Sequence, residues 1–489
     1  MKQVSRSKRG VMGIIILLFF ISMAAAAPLL SSNDPVYDRH LAGVRAYPSW
    51  FAYFMPDKVN ENWQAASTPG FLTVDSVQDW NIIVAYDAGR AYAAYEYNQT
   101  FGTSQTPQGS IQLKVKRITP TQPSGTSKFI FEPKQDYYLP SASPPKRFAV
   151  SINLFATNVE NFTAVEVKAY LVQVATGNIT NLSFVNIQQT TENWITPDPL
   201  IDSYNTNFKL QFGGQIYTDP VEVIFTQKGY YRLRVEISFK DTKTITKPLE
   251  ATMSIDDLNF RIYGNSYGVL GTDHEGRDVF SQLVVGARIS LFVGFVAAGI
   301  AVFIGLLVGL IAGFVGGIVD EVLMRVTDAL LVIPTLPLLI VLIAILSPSI
   351  WNIIFDIGIL GWMGFARTVR AQTLSIKERT YIEAAKASGA GTFYIINHHI
   401  IPNVMSLVYV SLATGVPSAI VAEAALSWLG LFDPNIISWG KMLHDAQNFV
   451  ELWWWMVPPG LFISLVSLAF ILIGFSIDDI LNPKLRARR

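Results

Sequence analysis

Two kinds of hydrophobic pattern divide this chain into unlike parts. Residues 11–27 and most of the chain after residue 288 consist of long apolar runs with few charges, whereas residues 29–262 contain dispersed charges and short alternating segments. Apolar runs of about 20 residues are typical of membrane-spanning helices, and alternation at every second residue is typical of strands with one wet face. The pattern therefore predicts one helix, a β-rich segment and then a helical bundle.

Four charge-free gaps in the second half each hold an apolar run able to cross about 30 Å of hydrocarbon. They lie between Arg288 and Asp320, Asp328 and Asp356, Lys386 and Glu423, and Glu451 and Asp478. A less obvious span runs from about Trp351 to Val369, because Asp356 interrupts it. With the N-terminal run this gives six spans, which must be helical because lipid offers no partner to backbone polar groups.

The N-terminal run, Val11 to Ala27, follows a basic stretch. Positive charge before an apolar run predicts a cytoplasmic N-terminus. The Ala24 to Ala27 tract also fits a signal-peptidase site, so both a retained helix and a cleaved signal remain open.

The clearest strand in the middle segment places Tyr231, Leu233, Val235, Ile237 and Phe239 on one face. Weaker alternation occurs at 111–118, 148–155, 165–174 and 208–212. Several such strands separated by turn signals predict an antiparallel β-sandwich. Pro144 and Pro145 are expected to divide it into two halves.

Four N-x-S/T sequons also fall in this segment, at Asn98, Asn161, Asn178 and Asn181. They are candidate glycosylation sites and fit an extracytoplasmic surface. Chance matches are common in sequence rich in Asn and Thr, so the sequons leave open whether these asparagines are glycosylated.

Composition agrees with a membrane protein, since 51% of residues are hydrophobic and only 15% are charged. The 37 basic and 37 acidic residues balance, which gives no case for nucleic-acid binding. The chain has no cysteine and only five scattered histidines, so no metal site is predicted. It has no G-x-x-x-x-G-K-S/T loop either, so it is not expected to hydrolyse ATP or to bind a cofactor itself.

The stretch from Tyr381 to Asn403 combines two short helix patterns with a glycine break. Thr380 and Glu383 fit a capping box, which predicts a helix starting at Tyr381. Gly389 and Gly391 are expected to end it, Thr392 to cap the next helix and Pro402 to stop that one.

This stretch resembles the EAA loop of the membrane subunits of ABC importers, through Glu383, Ala384, Ala385, Gly389, Ile401 and Pro402. In that family the loop forms a coupling helix that docks into a groove on a cytoplasmic ATPase subunit. The alternative is an ordinary capped helix pair in which Glu383 serves only its own cap.

Residues 268–295 resemble the segment that enters the second membrane helix in the dipeptide/oligopeptide/nickel class of these permeases, with Gln282 as a mild departure. From the residues alone we expect an interfacial helix from about Arg277 to Val285, with Arg277 and Asp278 capping or pairing locally; the alternative for these two charges is direct contact with substrate. Asp356 and Glu423 lie near membrane depth, where ionisable groups are functional candidates. Helix-end or loop hydrogen bonding and a gating or substrate role both remain open for them.

Orientation follows from the distribution of positive charge. Basic residues flank and occupy the EAA loop and fill the C-terminal tail, whereas residues 426–452 contain only Lys441. This bias predicts a multi-pass protein of the cell membrane with both termini in the cytoplasm and residues 29–288 outside.

The resemblance implies a C-type permease subunit with six transmembrane helices and an enlarged external insertion. The expected division is a helix at 1–28, which the family retains, a β-rich domain at 29–262 and a five-helix core at 263–489.

Implied partners are a second permease, two ATP-binding subunits that hold ATP and magnesium, and an external substrate-binding protein. The implied cargo is di- or oligopeptides, with oligosaccharides or nickel as alternatives. Two other classes remain open: a receptor or adhesion protein acting through the β domain, and an ATP-independent secondary transporter.

Overall fold

A computed structural model of the chain describes residues 7–31, 33–66, 70–86, 91–103, 109–118, 125–140, 144–198, 200–213, 219–241 and 248–481. The basic residues of the C-terminal tail, on which the orientation argument partly relies, lie outside these ranges. The chain forms two compact units. A helical unit comprises 1–39 and 277–489, and a β unit comprises 40–276. The division expected at 29 and 262 thus falls about a dozen residues from these boundaries.

Helices and strands follow this order along the chain. The helices are α1 (Lys8–Leu30), α2 (Val74–Val77), α3 (Thr206–Gly213), α4 (Pro220–Ile224), α5 (Val279–Val315), α6 (Gly317–Val332), α7 (Thr335–Leu346), α8 (Ile350–Leu360), α9 (Met363–Lys377), α10 (Thr380–Ala387), α11 (Thr392–Ile395), α12 (Ile401–Trp428), α13 (Trp439–Ala446) and α14 (Trp453–Leu481). The strands are β1 (Trp63–Gln64), β2 (Trp80–Ala85), β3 (Ala91–Asn98), β4 (Ser110–Arg117), β5 (Gly125–Pro133), β6 (Tyr137–Leu139), β7 (Arg147–Thr157), β8 (Ala164–Gln173), β9 (Ile179–Ile187), β10 (Gly229–Asp241) and β11 (Leu249–Tyr263).

The long helix α5 is the centre of the helical unit and packs against α8, α9 and α12. Glycines permit the closest of these approaches: a Cβ added at Gly309 would lie 2.6 Å from the carbonyl oxygen of Ala366, and one at Gly294 would lie 2.5 Å from Ile420. The helices can therefore meet at backbone distance, which is how helices associate where lipid removes the hydrophobic driving force.

Helix α1 packs against α14, the last helix. A Cβ at Gly13 would lie 2.7 Å from the carbonyl oxygen of Ala469, and the hydroxyls of Ser7 and Ser476 are 3.2 Å apart. The two outermost helices of the sequence are therefore neighbours.

By length and composition, the described residues contain four helices able to cross a membrane: Lys8–Leu30, Val279–Val315, Thr392–Trp428 and Trp453–Ile477. Helices α6 and α7 meet at 89° and make a fifth if the bent pair is one span. The expected span at 351–369 is divided between α8 and α9 by Gly361 and Trp362. The expectation of six spans is thus not confirmed by these criteria.

The interfacial helix expected from Arg277 to Val285 is wrong. Val279–Val285 form the first turns of α5, which begins after its cap Asp278 and runs unbroken for 37 residues, or about 55 Å. Ser281, Gln282 and Ser290 are buried on this helix, whereas Arg288 is exposed, so these three polar side chains meet protein. A polar stretch before an apolar run therefore did not mark a separate helix.

The β unit consists of two antiparallel sheets. One contains β3, β4, β11 and β7 with β1 pairing with one end of β11, and the other contains β2, β5, β10, β8 and β9 with β6 pairing with one end of β10. Side chains from both sheets form a single hydrophobic core.

The alternation expected on β10 is confirmed. Its residues Tyr231, Leu233, Val235, Ile237 and Phe239 are all buried, and the same pattern holds along β7 and β8. The division at Pro144 and Pro145 is wrong, because the first sheet combines β3 and β4 from before these prolines with β7 and β11 from after them.

The strand expected at Phe208–Phe212 is also wrong, since these residues lie in the helix α3. Phe208 and Phe212 are four positions apart, which places both on one helix face, and their ring centroids are 4.8 Å apart. A short apolar segment fits either period, and here the helical one is formed.

The wet face of β10 carries a row of ion pairs with neighbouring strands. Arg232 binds Asp136 through two hydrogen bonds of 2.7 and 2.8 Å, and Lys240 pairs with Glu166. Lys168 lies 2.9 Å from the same Glu166 carboxylate. These two lysines hold the pKa of Glu166 below its usual range, the hydrogen bond from Lys240 being the larger cause.

Candidate functional site

The stretch predicted to couple to a partner forms a bent helical element that follows α9 along the chain. It comprises α10, a turn at residues 388–391, α11, a π-helical turn at Ile396–Ile400 and the start of α12. Gly389 lies in the turn with φ +85°, a conformation that favours glycine. The amides of Gly389 and Ala390 donate to the carbonyls of Lys386 and Ala385 at 3.0 Å, which closes the end of α10.

Three details of the expected capping are wrong. Helix α10 includes Thr380 and is preceded by Arg379, without a side-chain cap, so Thr380 and Glu383 form no capping box. Thr392 does not cap α11 but is its first residue, and the preceding Gly391 provides no side-chain cap. Pro402 does not end a helix but lies in the first turn of α12, where its missing amide hydrogen costs nothing.

The outer face of this element is exposed. Glu383 and Ala384 are exposed, and Ala385 is half-buried. Since Glu383 is not used for capping, its carboxylate is available to another molecule. Two aromatic side chains that the sequence reasoning did not single out are exposed beside the bend, Phe393 at 79% and Tyr394 at 51%. A Phe-Tyr pair that starts two positions after Gly391 was the signal for them.

The inner face is fully buried. Ile382 of α10, Ile395 of α11, Ile400 of the π-helical turn and Val404 of α12 pack into one cluster, with side chains of α5 and α9. The partners on α5 and α9 are Leu310, Phe314, Val369 and Ile376. A displacement of α10 would therefore shift the ends of α5 and α9 that pack against it, because packed side chains transmit strain.

Polar contacts brace the same region. Arg370 of α9 binds Asp320 of α6 with both ends of its guanidinium, and Arg367 of α9 binds Asp328 of α6. Lys377, at the end of α9, donates to the carbonyl oxygen of Phe314 at 2.5 Å. Bidentate arginine pairs fix the angle between helices more firmly than single contacts do.

The histidines of the π-helical turn make local contacts. The ring of His398 stacks on Tyr394 with centroids 4.2 Å apart, and the ring of His399 lies near Tyr381. Both rings therefore contact tyrosines of the same helical element.

Glu423 lies at the opposite end of α12 from Pro402 and is buried. Its Oε1 accepts hydrogen bonds from Ser427 at 2.8 Å and from Ser438 at 2.6 Å, while Ser438 caps α13 by accepting from the Lys441 amide. A Cβ at Gly440 would lie 2.7 Å from Cα of Ala424. Oε1 of Glu423 thus links α12 to the residue that caps α13.

Asp278 caps α5, as expected. Its carboxylate accepts from the amides of Phe280 and Ser281 at 3.1 and 3.2 Å, and from the Ser281 hydroxyl. Arg277 is buried, and its Nη2 lies 3.7 Å from the Asp445 carboxylate of α13. These two charges therefore serve the packing of α5 and α13.

Asp356 differs from the expectation of helix-end hydrogen bonding. It lies in the middle of α8 among Ile353, Ile354 and Ile357, and within the described part of the chain its Oδ2 has no hydrogen-bond partner. The structure therefore does not bring the four charged candidates together: Arg277, Asp278 and Glu423 support helix ends, and Asp356 lies apart.

The four sequons lie in the β unit. Asn98 ends β3 and Asn161 lies in a short 3-10 turn, both half-buried, whereas Asn178 and Asn181 are exposed around the start of β9. The Asn98 side chain accepts hydrogen bonds from the amide and hydroxyl of Thr100.

A cavity of about 210 Å³ lies among α5, α7, α8, α9 and α12. Small or hydroxyl side chains line much of it, among them Ala298, Ala301, Ser411, Gly415 and Ser418.

Comparison with known proteins places residues 305–487 in the family described as binding-protein-dependent transport system inner membrane component. The dipeptide transport system permease protein DppC of Bacillus subtilis is 43% identical over 219 residues, 44% of this chain and 68% of that protein. The oligopeptide transport system permease protein OppC of Escherichia coli is 39% identical over 248 residues, 49% of this chain and 82% of that protein. A solved inward-facing form of the MetNI methionine ABC transporter is similar over 43% of this chain and 97% of its own, with 19% identity and a TM-score of 0.34.

Proposed function

This chain belongs to the binding-protein-dependent transport inner membrane components and is a C-type permease of the peptide ABC importer class, and from this premise we propose that it forms a peptide pathway with a second permease. It is a transport subunit and a multi-pass membrane protein. Its proposed partners are two ATPase subunits, which hold ATP and magnesium, and an external binding protein that delivers di- or oligopeptides.

The observation that carries this proposal is the two-sided construction of α10. The outer face presents Glu383 and Ala384 to another molecule, and the inner face places Ile382 in the cluster shared with α5 and α9. Small alanines allow a partner surface to approach closely, and a free carboxylate offers it a charged anchor. Closure of the ATPase subunits would push on the outer face, and the buried face would pass that movement to the helices.

The cavity among α5, α7, α8, α9 and α12 is the part of the helical unit that we assign to the pathway. Its alanine, glycine and serine lining leaves room for the backbone of a passing peptide and offers few side chains that would bind one particular residue.

We further propose the topology that coupling requires. The EAA loop and both termini would face the cytoplasm, and the β unit, as a β-sandwich, would lie outside. The sixth span would come from α8 and α9, with an irregular point at Gly361, which lines the cavity, and at Trp362, which is buried. Irregular backbone is tolerated at membrane depth where protein buries it or where it lines a cavity.

The test is Glu383→Arg in the assembled importer. Reversing this charge should abolish ATP-driven peptide uptake in proteoliposomes while the variant inserts and purifies normally, because α10 keeps its buried Ile382. Glu192→Arg, an exposed carboxylate of the β unit, is the matched control and should leave uptake unchanged. Normal uptake by the Glu383→Arg variant would remove the coupling role.

A further inference from the structure

A second cavity, of about 330 Å³, lies within the β unit. Two cations and two anions line it: Lys58, Lys146, Asp219 and Glu222. The remaining lining residues are Tyr47, Pro144, Pro145, Val221 and Asn265. Its volume falls within the range of about 300–1,000 Å³ that is usual for small-molecule sites. The distinctive feature is a wall that carries both signs of charge in equal number.

The backbone on the lysine side is held by one polypeptide segment. Buried Asn265 donates from Nδ2 to the carbonyl oxygen of Lys58 at 2.6 Å and accepts at Oδ1 from the amide of Asn60 at 2.6 Å. The amide of Lys146 donates to Tyr263 at 3.0 Å, and that of Tyr47 donates to Asn265 at 2.7 Å. Both lysines are therefore fixed at the backbone, so that only their side chains need to order on binding.

The carboxylate side is equally anchored. Oδ1 of Asp219 caps α4 by accepting from the Val221 amide at 3.0 Å, and Val221 belongs to the hydrophobic core. Glu222 follows Val221 directly and is exposed. The position of both carboxylates thus follows from the packing of α4.

Three of the four charges contribute little to the fold. In the ranges that the structure describes, the ammonium groups of Lys58 and Lys146 and the carboxylate of Glu222 form no ion pair or hydrogen bond. By contrast, Lys128, Lys168 and Lys240 on the sheet surface all pair with glutamates. Charged groups that line a cavity without such partners are available to a ligand.

We propose that this cavity binds a short peptide as its zwitterion, with the carboxylate near Lys58 and Lys146 and the ammonium group near Asp219 and Glu222. Capture of free chain ends by fixed opposite charges is a recurring way of recognising peptides independently of sequence. That the zwitterion is a peptide rests on the proposed function. The lining itself disfavours an uncharged sugar, which offers no opposite charge to either the lysines or the carboxylates, and a metal cation, which two lysines would repel.

The test uses the full chain in lipid nanodiscs and a calorimetric titration with five probes: dialanine, trialanine, alanine, N-acetyl-dialanine and dialanine amide. Dialanine or trialanine should bind, and blocking either end should weaken binding by about fivefold or more, the upper range for a single exposed charge pair. Equal binding of blocked and free peptides would overturn the proposal. Binding of alanine as tightly as of either peptide would overturn the assignment to peptides.

Two variants test the residues. Lys58→Gln combined with Lys146→Gln should weaken binding of the free peptide and remove the preference for a free carboxylate, and Glu222→Gln should weaken the preference for a free ammonium group. Lys228→Gln and Glu192→Gln, both exposed and outside the cavity, are the controls and should bind as the unaltered chain does. Unchanged binding by the cavity variants would sink the proposal.

The same preparation, assembled with its ATPase and binding-protein partners, separates this proposal from the transport function. Absence of ATP-driven peptide uptake would contradict the transport function, whatever the chain binds. Normal uptake with no peptide binding to the chain alone would contradict only the cavity assignment.

Discussion

Truncation of one buried side chain, Ile382→Ala, should uncouple ATP hydrolysis from transport without touching the surface that a partner would contact. Ile382 is 0% exposed and lies in the cluster with Ile395, Ile400 and Phe314. Replacing a buried isoleucine by alanine costs about 2–5 kcal/mol, because the transfer energy is lost and a cavity remains. Since 1.4 kcal/mol is about tenfold, the balance between packed and detached α10 should shift by about 30-fold or more. An eight-residue helix has little stability of its own, so packing decides its position.

The measurement is peptide uptake per ATP hydrolysed in proteoliposomes, together with hydrogen exchange of the α10 amides. We expect faster exchange, retained ATP hydrolysis and a clear fall in uptake per ATP. Ile382→Val, which costs about 0.5–1.5 kcal/mol, is the graded control and should have a small effect in the same direction. Faster exchange with an unchanged ratio of uptake to hydrolysis would refute the view that the buried face transmits the movement. Unchanged exchange would refute the energetic estimate.

Three further predictions concern other parts of the chain. Gly440→Ala should lower the free energy of unfolding of the purified chain by about 1–3 kcal/mol, because the added Cβ would lie 2.7 Å from Cα of Ala424. Gly460→Ala is the control and should be tolerated, because a Cβ added there has nothing within 4 Å. Glu166→Gln should destabilise the β unit at pH 7. The depressed pKa of Glu166 means that its charged form stabilises the folded state above the unfolded pKa of about 4.3, and this stability is lost as the pH falls through the folded pKa. The difference in thermal unfolding temperature between the variant and the unaltered chain should therefore shrink on acidification. Because the chain has no cysteine, Ser388→Cys and Asn178→Cys can be labelled singly in intact cells, and an impermeant maleimide should reach only the second, the opposite result refuting the proposed orientation.

The features that the sequence predicted well are those in which one pattern has one structural solution. The alternation of Tyr231 to Phe239 fits only a strand with one buried face, and the charge-free run after Arg288 lies within one long helix. The capping of α5 by Asp278 was likewise predictable, because an aspartate before an apolar run has few other uses there.

Other features failed because the same residues serve two structures. Pro402 is compatible with the end of one helix and with the first turn of the next, and only the neighbouring packing selects the second. Phe208 and Phe212 fit both a strand and a helix face. The charged cavity of the β unit could not be predicted from the sequence, because Lys58, Lys146 and Glu222 are far apart in sequence and come together only in the fold.

The packing of α1 against α14 has a consequence for biogenesis. Ser7 and Ser476, whose hydroxyls meet, are 469 positions apart, so at about 5–20 residues per second the ribosome needs roughly 20–90 s to supply α14 to the first helix. During that time the glycine face of α1 must be sheltered by lipid or by the insertion machinery while the long insertion is synthesised. Closure of the helical unit is therefore a late event, and a nascent chain that stops before α14 would leave the Gly13 face of α1 without its partner and open to quality-control proteolysis, although α1 also packs against α5.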